Sequence, residues 1–222
     1  MNFDIYTYGN KDADPLLVQM ADDHDMEVMD QEAAFIKELT GGTDFCLAAV
    51  KVNDWNRDLA PWPAPPVFGK EAFGDGAGRT LDFLLKDVLP SFSAGGSAHE
   101  KKIFIGGYSL AGLFALWAGT QTDVFSGIAA ASPSIWYPSF VDFTRDNLPR
   151  ADRIYLSLGD KEERTRNPVM ARVGDAIREE YALLQAAGKE SILEWNKGNH
   201  FKEPDLRTAK AFSWLIGKAW QK

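Results

Sequence analysis

The sequence predicts an α/β protein with a mostly parallel sheet that is flanked by helices on both faces. Short, continuously apolar runs alternate along the chain with longer segments of helical period. Strands buried on both faces have such continuous runs, and helical crossovers between them make the pairing parallel. The chain has 222 residues, of which 45% are hydrophobic, so we expect one domain, residues 1–222, with a large core.

Seven strands are predicted, because seven short apolar runs end at turn residues or at charged residues. In chain order these runs are residues 3–8, 15–20, 44–52, 101–107, 125–133, 152–160 and 191–196. A turn at Gly9 and Asn10 is expected to join the first two, since both residue types adopt turn conformations readily.

Five helices are predicted from apolar residues that recur with helical spacing. They cover residues 26–42, 79–89, 110–119, 168–188 and 204–221. Gly41 suits the C-terminal cap of the first helix, and Pro90 is expected to stop the second. Gly188 ends the fourth helix, and Pro204 lies in the first turn of the last, where a missing N–H is tolerated.

Residues 53–78 interrupt this alternation with a segment rich in proline, glycine and aromatic residues. Long loops in compact domains are often functional, and this one follows a strand, so we expect it over the carboxyl edge of the sheet. Its aromatic residues Trp55, Trp62, Phe68 and Phe73 either form a wall of the binding site or anchor the loop to the body. The sequence leaves both interpretations open.

The overall charge disfavours two classes of partner. The net charge is −8 and the isoelectric point is about 4.9, which disfavours binding to nucleic acid and to anionic membrane surfaces.

The first residues lack a basic region followed by an apolar core, so no signal peptide is expected. No apolar stretch reaches the ~20 residues that span a bilayer. The sequence therefore predicts a cytoplasmic protein.

Neither cysteine chemistry nor metal chemistry is expected. Cys46 is the single cysteine and lies in a buried run, so it forms no intrachain disulfide and is expected to pack as a small hydrophobic residue. Residues 22–25 are Asp, Asp, His and Asp, but adjacent residues rarely converge on one ion. These acids are expected to cap the helix that starts near Met26. We predict no metal and no cofactor.

Ser109 lies between a predicted strand and a predicted helix, in the sequence Gly107-Tyr-Ser-Leu-Ala111. A serine on a sharp strand-to-helix turn needs small neighbours, and the turn exposes its hydroxyl at the edge of the sheet. This pattern is the nucleophile elbow, Gly-x-Ser-x-Gly, with alanine in place of the second glycine. The alternative is a tight turn with an N-capping serine.

A nucleophilic serine needs a base, usually histidine, and an acid that orients the base. In sheets with this elbow the three follow the order serine, acid, histidine. Of the three histidines, His24 and His99 precede Ser109, so His200 is the predicted base. It directly follows the last strand and precedes the last helix.

The acid is expected after the strand that precedes the long helix, where the sequence offers Asp160, Glu162 and Glu163. A side chain two or three residues past the strand end turns back toward the histidine more easily than one that leaves the strand directly. We therefore favour Glu162, with Asp160 as the second candidate.

Two backbone donors are needed to stabilise the oxyanion of an acyl-transfer intermediate. One is expected to be the N–H of Leu110, directly after the nucleophile. The other is expected from Ala21 or Asp22, in the loop after the second strand. Tyr108 and Trp136 are further candidates for contact with the substrate.

Four short motifs resemble a known family: "GGYSLAG", "ASPSIWY", "LSLGDKEE" and "GNHF", in this order. They resemble the esterase family of the α/β-hydrolases that includes esterase D-like enzymes and enterochelin-esterase-type siderophore hydrolases. The segments 132–136 and 159–162 resemble the siderophore-hydrolase branch in particular. The resemblance implies an α/β-hydrolase fold without a separate large cap domain and a serine hydrolase without cofactors. It also implies Ser109, Glu162 and His200 as the triad.

The sequence thus predicts a serine esterase that cleaves small-molecule carboxylic esters through an acyl-enzyme. An acyltransferase would use the same acyl-enzyme with another acceptor, and a hydrolase-like binding module would keep the fold without the chemistry. The natural substrate, the acyl length and the oligomeric state are left open by the sequence.

Overall fold

A computed structural model describes residues 2–67, 69–93 and 101–219. Within these ranges seven strands form one sheet, in the order β1-β3-β2-β4-β5-β6-β7. Their bounds are β1 Asp4–Gly9, β2 Leu16–Ala21, β3 Cys46–Lys51, β4 Ile103–Tyr108, β5 Gly127–Ala131, β6 Arg153–Gly159 and β7 Glu190–Asn196. The edge strand β1 pairs antiparallel with β3, and all other pairs are parallel. The mostly parallel sheet predicted from the sequence is confirmed.

Helices cover both faces of the sheet. In the described ranges they are α1 Asp23–Leu39, α2 Trp55–Asp58, α3 Ala77–Phe83, α4 Leu89–Ser93, α5 Leu110–Gln121, α6 Phe140–Asp146, α7 Val173–Ala186 and α8 Pro204–Ala219. Buried residues of α1 and α8, such as Met29 and Phe212, pack on one face. Those of α5 and α7, such as Leu113 and Ile177, pack on the other. No separate cap domain is present among the described residues.

The prediction that Pro90 stops a helix is wrong. A π-helical turn, Leu84–Val88, follows α3, and the N–H of Leu89 bonds to the carbonyl of Leu84, five residues back. The helix then continues as α4 through Pro90. The wider π turn directly ahead of the proline accommodates a residue that has no N–H to donate.

Three further differences concern the start of the first helix, an additional helix and the segment 53–78. The first helix begins at Asp23, because Asp22 caps it: its carboxylate accepts from the N–H groups of His24 and Asp25. Helix α6 was not predicted from the sequence. Residues 53–78 are not a structureless loop, since they contain α2 and a bridge between Ala64 and Phe73. Phe68 lies outside the described residues.

The three residues predicted to form the triad all lie at the carboxyl edge of the sheet. Ser109 follows β4, Glu162 follows β6 and His200 follows β7. Because parallel strands end at the same edge, residues far apart in sequence come close in space. Among the described residues, no helix is long and apolar enough to cross a membrane.

Glu180 is a fully buried carboxyl group between α6 and α7. Its Oε2 accepts a hydrogen bond of 2.6 Å from the hydroxyl of Thr144. Burial, together with the neighbouring charge of Glu179, raises the pKa of Glu180 from 4.5 to about 7. Between these two values the folded chain binds more protons at this group than the unfolded chain does. The contribution of Glu180 to the free energy of unfolding is therefore lost as the pH rises from below 4.5 through about 7.

The variant Glu180→Gln is expected to gain stability relative to the wild type between about pH 5 and pH 8. The gain approaches ~3 kcal/mol at the upper end, because the amide keeps an acceptor for Thr144 and carries no charge to bury. Urea unfolding at a series of pH values measures the difference. A difference that stays constant with pH would contradict the assigned titration.

Candidate active site

Ser109 occupies a sharp turn between β4 and α5, with φ 57° and ψ −121°. A non-glycine residue at positive φ is strained, and such strain is typical of functional sites. Gly107 makes the turn possible: a Cβ at this position would lie 2.6 Å from the Cβ of Ala111. The small residues around Ser109 are therefore required by the close approach of the strand and the helix.

The structure brings Ser109, His200 and Glu162 into a continuous chain of contacts. The Oγ of Ser109 lies 3.0 Å from Nε2 of His200, and Nδ1 of His200 lies 2.7 Å from Oε2 of Glu162. The Oγ of Ser109 also lies 3.2 Å from Oγ of Ser134, a buried hydroxyl that the sequence did not single out. The distances from Ser109 to His200 and from His200 to Glu162 are those of ordinary hydrogen bonds.

The carboxylate of Glu162 is buried, and donors surround its second oxygen. Oε1 accepts from the N–H of Gly159 at 2.7 Å, from the hydroxyl of Ser132 at 2.8 Å and from the guanidinium of Arg207 at 2.9 Å. Burial alone would raise the pKa of Glu162. The hydrogen bond and charge of His200, with the bonds from Ser132 and Gly159, outweigh burial and hold this pKa below its usual value. The group is thus an anion at neutral pH.

Arg207 ties the acid to the loop that carries the histidine. Its guanidinium bonds to Glu162 and, through Nη2, to the carbonyls of Lys197 and Asn199 at 3.1 Å each. The side chain is almost fully buried. Arg207 was not predicted from the sequence, although one signal was present: it lies on the apolar face of α8, four residues before Ala211. A cation at such a position needs a partner in the interior.

Tyr108 supports the same loop and does not line the cavity described below. Its hydroxyl donates to the carbonyl of His200 at 2.7 Å and accepts from Arg207 at 3.0 Å. Burial, with a smaller effect of the Glu162 charge, raises the pKa of Tyr108 to about 12. The phenol therefore stays protonated and able to donate. Its place in the structure favours positioning of His200 over contact with substrate.

The other two candidate acids have different partners. Oδ1 of Asp160 accepts from the N–H of Gly198 at 2.8 Å, which ties the end of β6 to the loop before His200. Oε2 of Glu163 pairs with Arg178 at 3.0 Å. Of the three acids, all of which the structure describes, Glu162 alone contacts the imidazole.

The variant Glu162→Gln is expected to lower kcat by ~10⁴-fold without unfolding the protein. Three donors face Oε1, so the amide must place its oxygen there and turn its NH₂ group toward Nδ1 of His200. The imidazole then carries its proton on Nε2 and has no lone pair to accept a proton from Ser109. Steady-state ester hydrolysis measures the loss. The control Asp160→Asn is expected to stay within about tenfold of the wild type, and the reverse ranking would contradict the assignment.

The predicted oxyanion donors lie on two elements. Leu110 is the first residue of α5, so its N–H belongs to the turn whose N–H groups have no intrahelical acceptor. The N–H of Asp22 donates to the carboxylate of Asp25 at 3.2 Å in the capping box of α1. Ala21 is the last residue of β2. Asp22 thus already has an acceptor, whereas the donor roles of Leu110 and Ala21 stay predictions.

A cavity of about 410 Å³ opens beside His200 and Glu162. Its apolar lining includes Trp136, a substrate-contact candidate from the sequence, and Phe201, which is 86% exposed. Lys161 also lines it. The cavity is large enough for a small organic group next to the histidine.

Trp55 and Trp62 do not line this cavity. Trp55 is partly buried against the core. The indole N–H of Trp62 donates to the carbonyl of Pro138 at 3.0 Å, and its carbonyl accepts from the hydroxyl of Tyr137 at 2.6 Å. Its ring centroid lies 5.3 Å from that of Phe143. These contacts favour the interpretation that Trp62 anchors the loop to the body.

The variants Trp62→Ala and Trp136→Ala are expected to separate anchoring from substrate contact. Loss of the Trp62 side chain removes packing and the hydrogen bond donated by its indole N–H, so stability is expected to fall by about 2–3 kcal/mol with little change in KM. Loss of Trp136 removes a cavity wall, so KM for bulky esters is expected to rise more than KM for 4-nitrophenyl acetate. Thermal unfolding and steady-state kinetics measure the two effects. Equal KM changes in both variants would contradict the assignment of anchoring to Trp62 and of substrate contact to Trp136.

The remaining residues named from the sequence lie apart from this cluster. His24 is exposed and lies 3.9 Å from Glu27, and His99 is outside the described residues. Cys46 is buried, and burial raises the pKa of its thiol. Within the described ranges, no group of three or more histidine, cysteine, aspartate or glutamate side chains is arranged to hold a metal ion.

Several solved structures have the same fold as this chain. No protein-family model matches the sequence, and no curated protein matches it. Among solved structures, the siderophore hydrolase EstA from Aspergillus nidulans is 17% identical, with 98% of this chain and 90% of that chain covered and a TM-score of 0.74. The siderophore hydrolase EstB from the same organism is also 17% identical, with 98% and 91% covered and a TM-score of 0.76.

An IroE-like serine hydrolase from Shewanella oneidensis is 16% identical, with 96% of this chain and 75% of that chain covered and a TM-score of 0.77. At these identities the likeness establishes the fold. The predicted α/β-hydrolase fold is confirmed. EstA and EstB are named as siderophore hydrolases, the branch of the family that the sequence motifs resemble.

Proposed function

We propose that this protein is a serine hydrolase that cleaves carboxylic esters through an acyl-enzyme. The observation that carries the proposal is the chain Ser109–His200–Glu162, with contacts of 3.0 and 2.7 Å at the carboxyl edge of the sheet. A hydroxyl, an imidazole and a buried carboxylate in this arrangement are what nucleophilic catalysis by serine requires. The serine and siderophore hydrolases with the same fold support the reaction class.

In the proposed mechanism, Nε2 of His200 takes the proton of Ser109 as Oγ attacks the ester carbonyl. Glu162 accepts a hydrogen bond from Nδ1–H, which fixes the required tautomer and stabilises the imidazolium. The imidazolium then protonates the leaving alcohol, and the acyl group stays on Oγ. A water molecule, deprotonated by the same imidazole, hydrolyses the acyl-enzyme and restores Ser109.

The tetrahedral intermediate carries a negative oxygen that the N–H of Leu110 is proposed to stabilise, with Ala21 as the second candidate. Each such donor contributes about 3–4 kcal/mol in other enzymes. Leu110 is the first residue of α5, so the positive end of the helix dipole would also stabilise the negative oxygen of the intermediate.

Pre-steady-state hydrolysis of 4-nitrophenyl esters from acetate to octanoate tests the proposal. We expect turnover of at least the short esters. A burst of 4-nitrophenolate, proportional to the enzyme concentration, precedes the steady state wherever deacylation is slower than acylation. A wild-type protein that hydrolyses none of these esters would overturn the proposal. The chain-length dependence of kcat/KM gives the preferred acyl size.

A further inference from the structure

The cavity beside His200 has a cationic side that the proposed reaction does not use. Lys161 and Arg164 line it, and both side chains are exposed. In the part of the chain that the structure describes, neither side chain forms an ion pair. These two cations contrast with the chain as a whole, whose net charge is −8.

The acids of the same segment do not neutralise this charge. Glu162 forms a hydrogen bond with His200 and an ion pair with Arg207. Glu163 pairs with Arg178 at 3.0 Å. Asp160 accepts a hydrogen bond from the N–H of Gly198. Arg207 and Arg178 balance the charges of Glu162 and Glu163, so the cations Lys161 and Arg164 stand against one remaining carboxylate of this segment, that of Asp160. One positive charge is therefore in excess beside the cavity.

The other lining residues of this cavity are largely apolar. They include Pro133, Trp136, Met170 and Val173. Phe201 is 86% exposed at the lip, with its ring centroid 5.7 Å from that of His200. An exposed aromatic side chain next to unpaired cations is suited to a group that combines an apolar framework with a negative charge.

The position of the histidine indicates which part of an ester would enter. His200 lines the cavity. The imidazole that takes the proton of Ser109 later gives a proton to the leaving alcohol, so the alcohol must lie on the histidine side of the scissile bond. The acyl portion then lies away from this cavity.

We propose that the site selects esters whose alcohol portion carries an anionic group, such as a carboxylate. The anion lies between the ammonium of Lys161 and the guanidinium of Arg164, and the framework packs against Trp136 and Phe201. The inference rests on the proposed ester hydrolysis and adds the substrate class. The cations are exposed, so the expected effect is a preference of several-fold and not an absolute requirement.

A pair of substrates that differ only in charge tests the inference. 4-Acetoxybenzoate is anionic and 4-acetoxybenzamide is neutral, with a similar shape. The ratio of their kcat/KM values is expected to fall two- to fivefold in Lys161→Gln and in Arg164→Gln, and about tenfold in the double variant. The wild-type ratio is also expected to fall as salt is added, because exposed charges are screened.

The matched control is Arg150→Gln, which removes the same charge just ahead of the first residue of β6, at the opposite edge of the sheet. It is expected to leave the ratio at the wild-type value. A ratio that is unchanged in the double variant, or that falls equally in the control, would overturn the inference.

Binding of the products separates this inference from the proposed reaction. Calorimetric titration is expected to show tighter binding of 4-hydroxybenzoate than of 4-hydroxybenzamide, with the difference reduced in the double variant. Hydrolysis without this difference and without a ratio change would refute the anionic preference alone. Charge-dependent binding without any hydrolysis would refute the esterase and leave an anion-binding cavity.

Discussion

Replacing Ser109 with alanine is expected to lower ester hydrolysis by ~10⁶-fold, to a residual rate that comes from binding and the oxyanion donors alone. The variant removes one oxygen atom from a helix start that the backbone builds independently, through the N–H of Ser109 bonded to the carbonyl of Ala131. Relief of a positive φ is not expected, because alanine is also strained there. Steady-state kinetics and thermal unfolding measure activity and fold separately.

Ser134→Ala is the matched control for this variant. The hydroxyl of Ser134 lies 3.2 Å from that of Ser109, so its loss perturbs the nucleophile without removing it. We expect a decrease of about tenfold or less, in line with one lost hydrogen bond. If Ser109→Ala kept substantial activity while Ser134→Ala lost it, the nucleophile would be Ser134.

Removing the imidazole is expected to have an effect of the same size. The variant His200→Ala leaves Ser109 without a proton acceptor, so kcat is expected to fall by ~10⁵–10⁶-fold. Because the two residues act as one unit, the double variant Ser109→Ala/His200→Ala is expected to be no slower than either single variant. Steady-state kinetics of the three variants measures this non-additivity.

His24→Ala is the control for the histidine. Its side chain is exposed and lies on α1, and we expect fold and rate to stay within about tenfold of the wild type. A folded His24→Ala protein that had lost its activity would contradict the order of residues on which the assignment of His200 depends. Additive losses in the double variant would contradict a shared step.

The local sequence predicted the strands well and drew attention to the turn at Ser109, because both depend on short-range patterns. Continuous apolar runs gave the buried strands, and the small residues at Gly107 and Ala111 gave the turn at Ser109. The structure places His200 and Glu162 where the chain order predicted. Their positions are constrained because Glu162 follows β6 and His200 follows β7, and both strands end at the carboxyl edge of the sheet.

What the sequence did not predict depends on contacts between distant segments. Arg207 supports the acid and the histidine loop from α8, and this is visible only when Glu162 and the carbonyl of Lys197 are seen beside it. Pro90 continues a helix because a π turn precedes it. Trp62 packs against Phe143 in α6, a helix with no clear sequence signal.

The site of reaction with a fluorophosphonate tests the central claim most directly. The probe phosphonylates an activated serine without depending on deacylation, and tandem mass spectrometry locates the adduct. We expect one adduct for each chain, on Ser109, and none in Ser109→Ala. An adduct on Ser132 or Ser134, or labelling that persists in Ser109→Ala, would contradict the account.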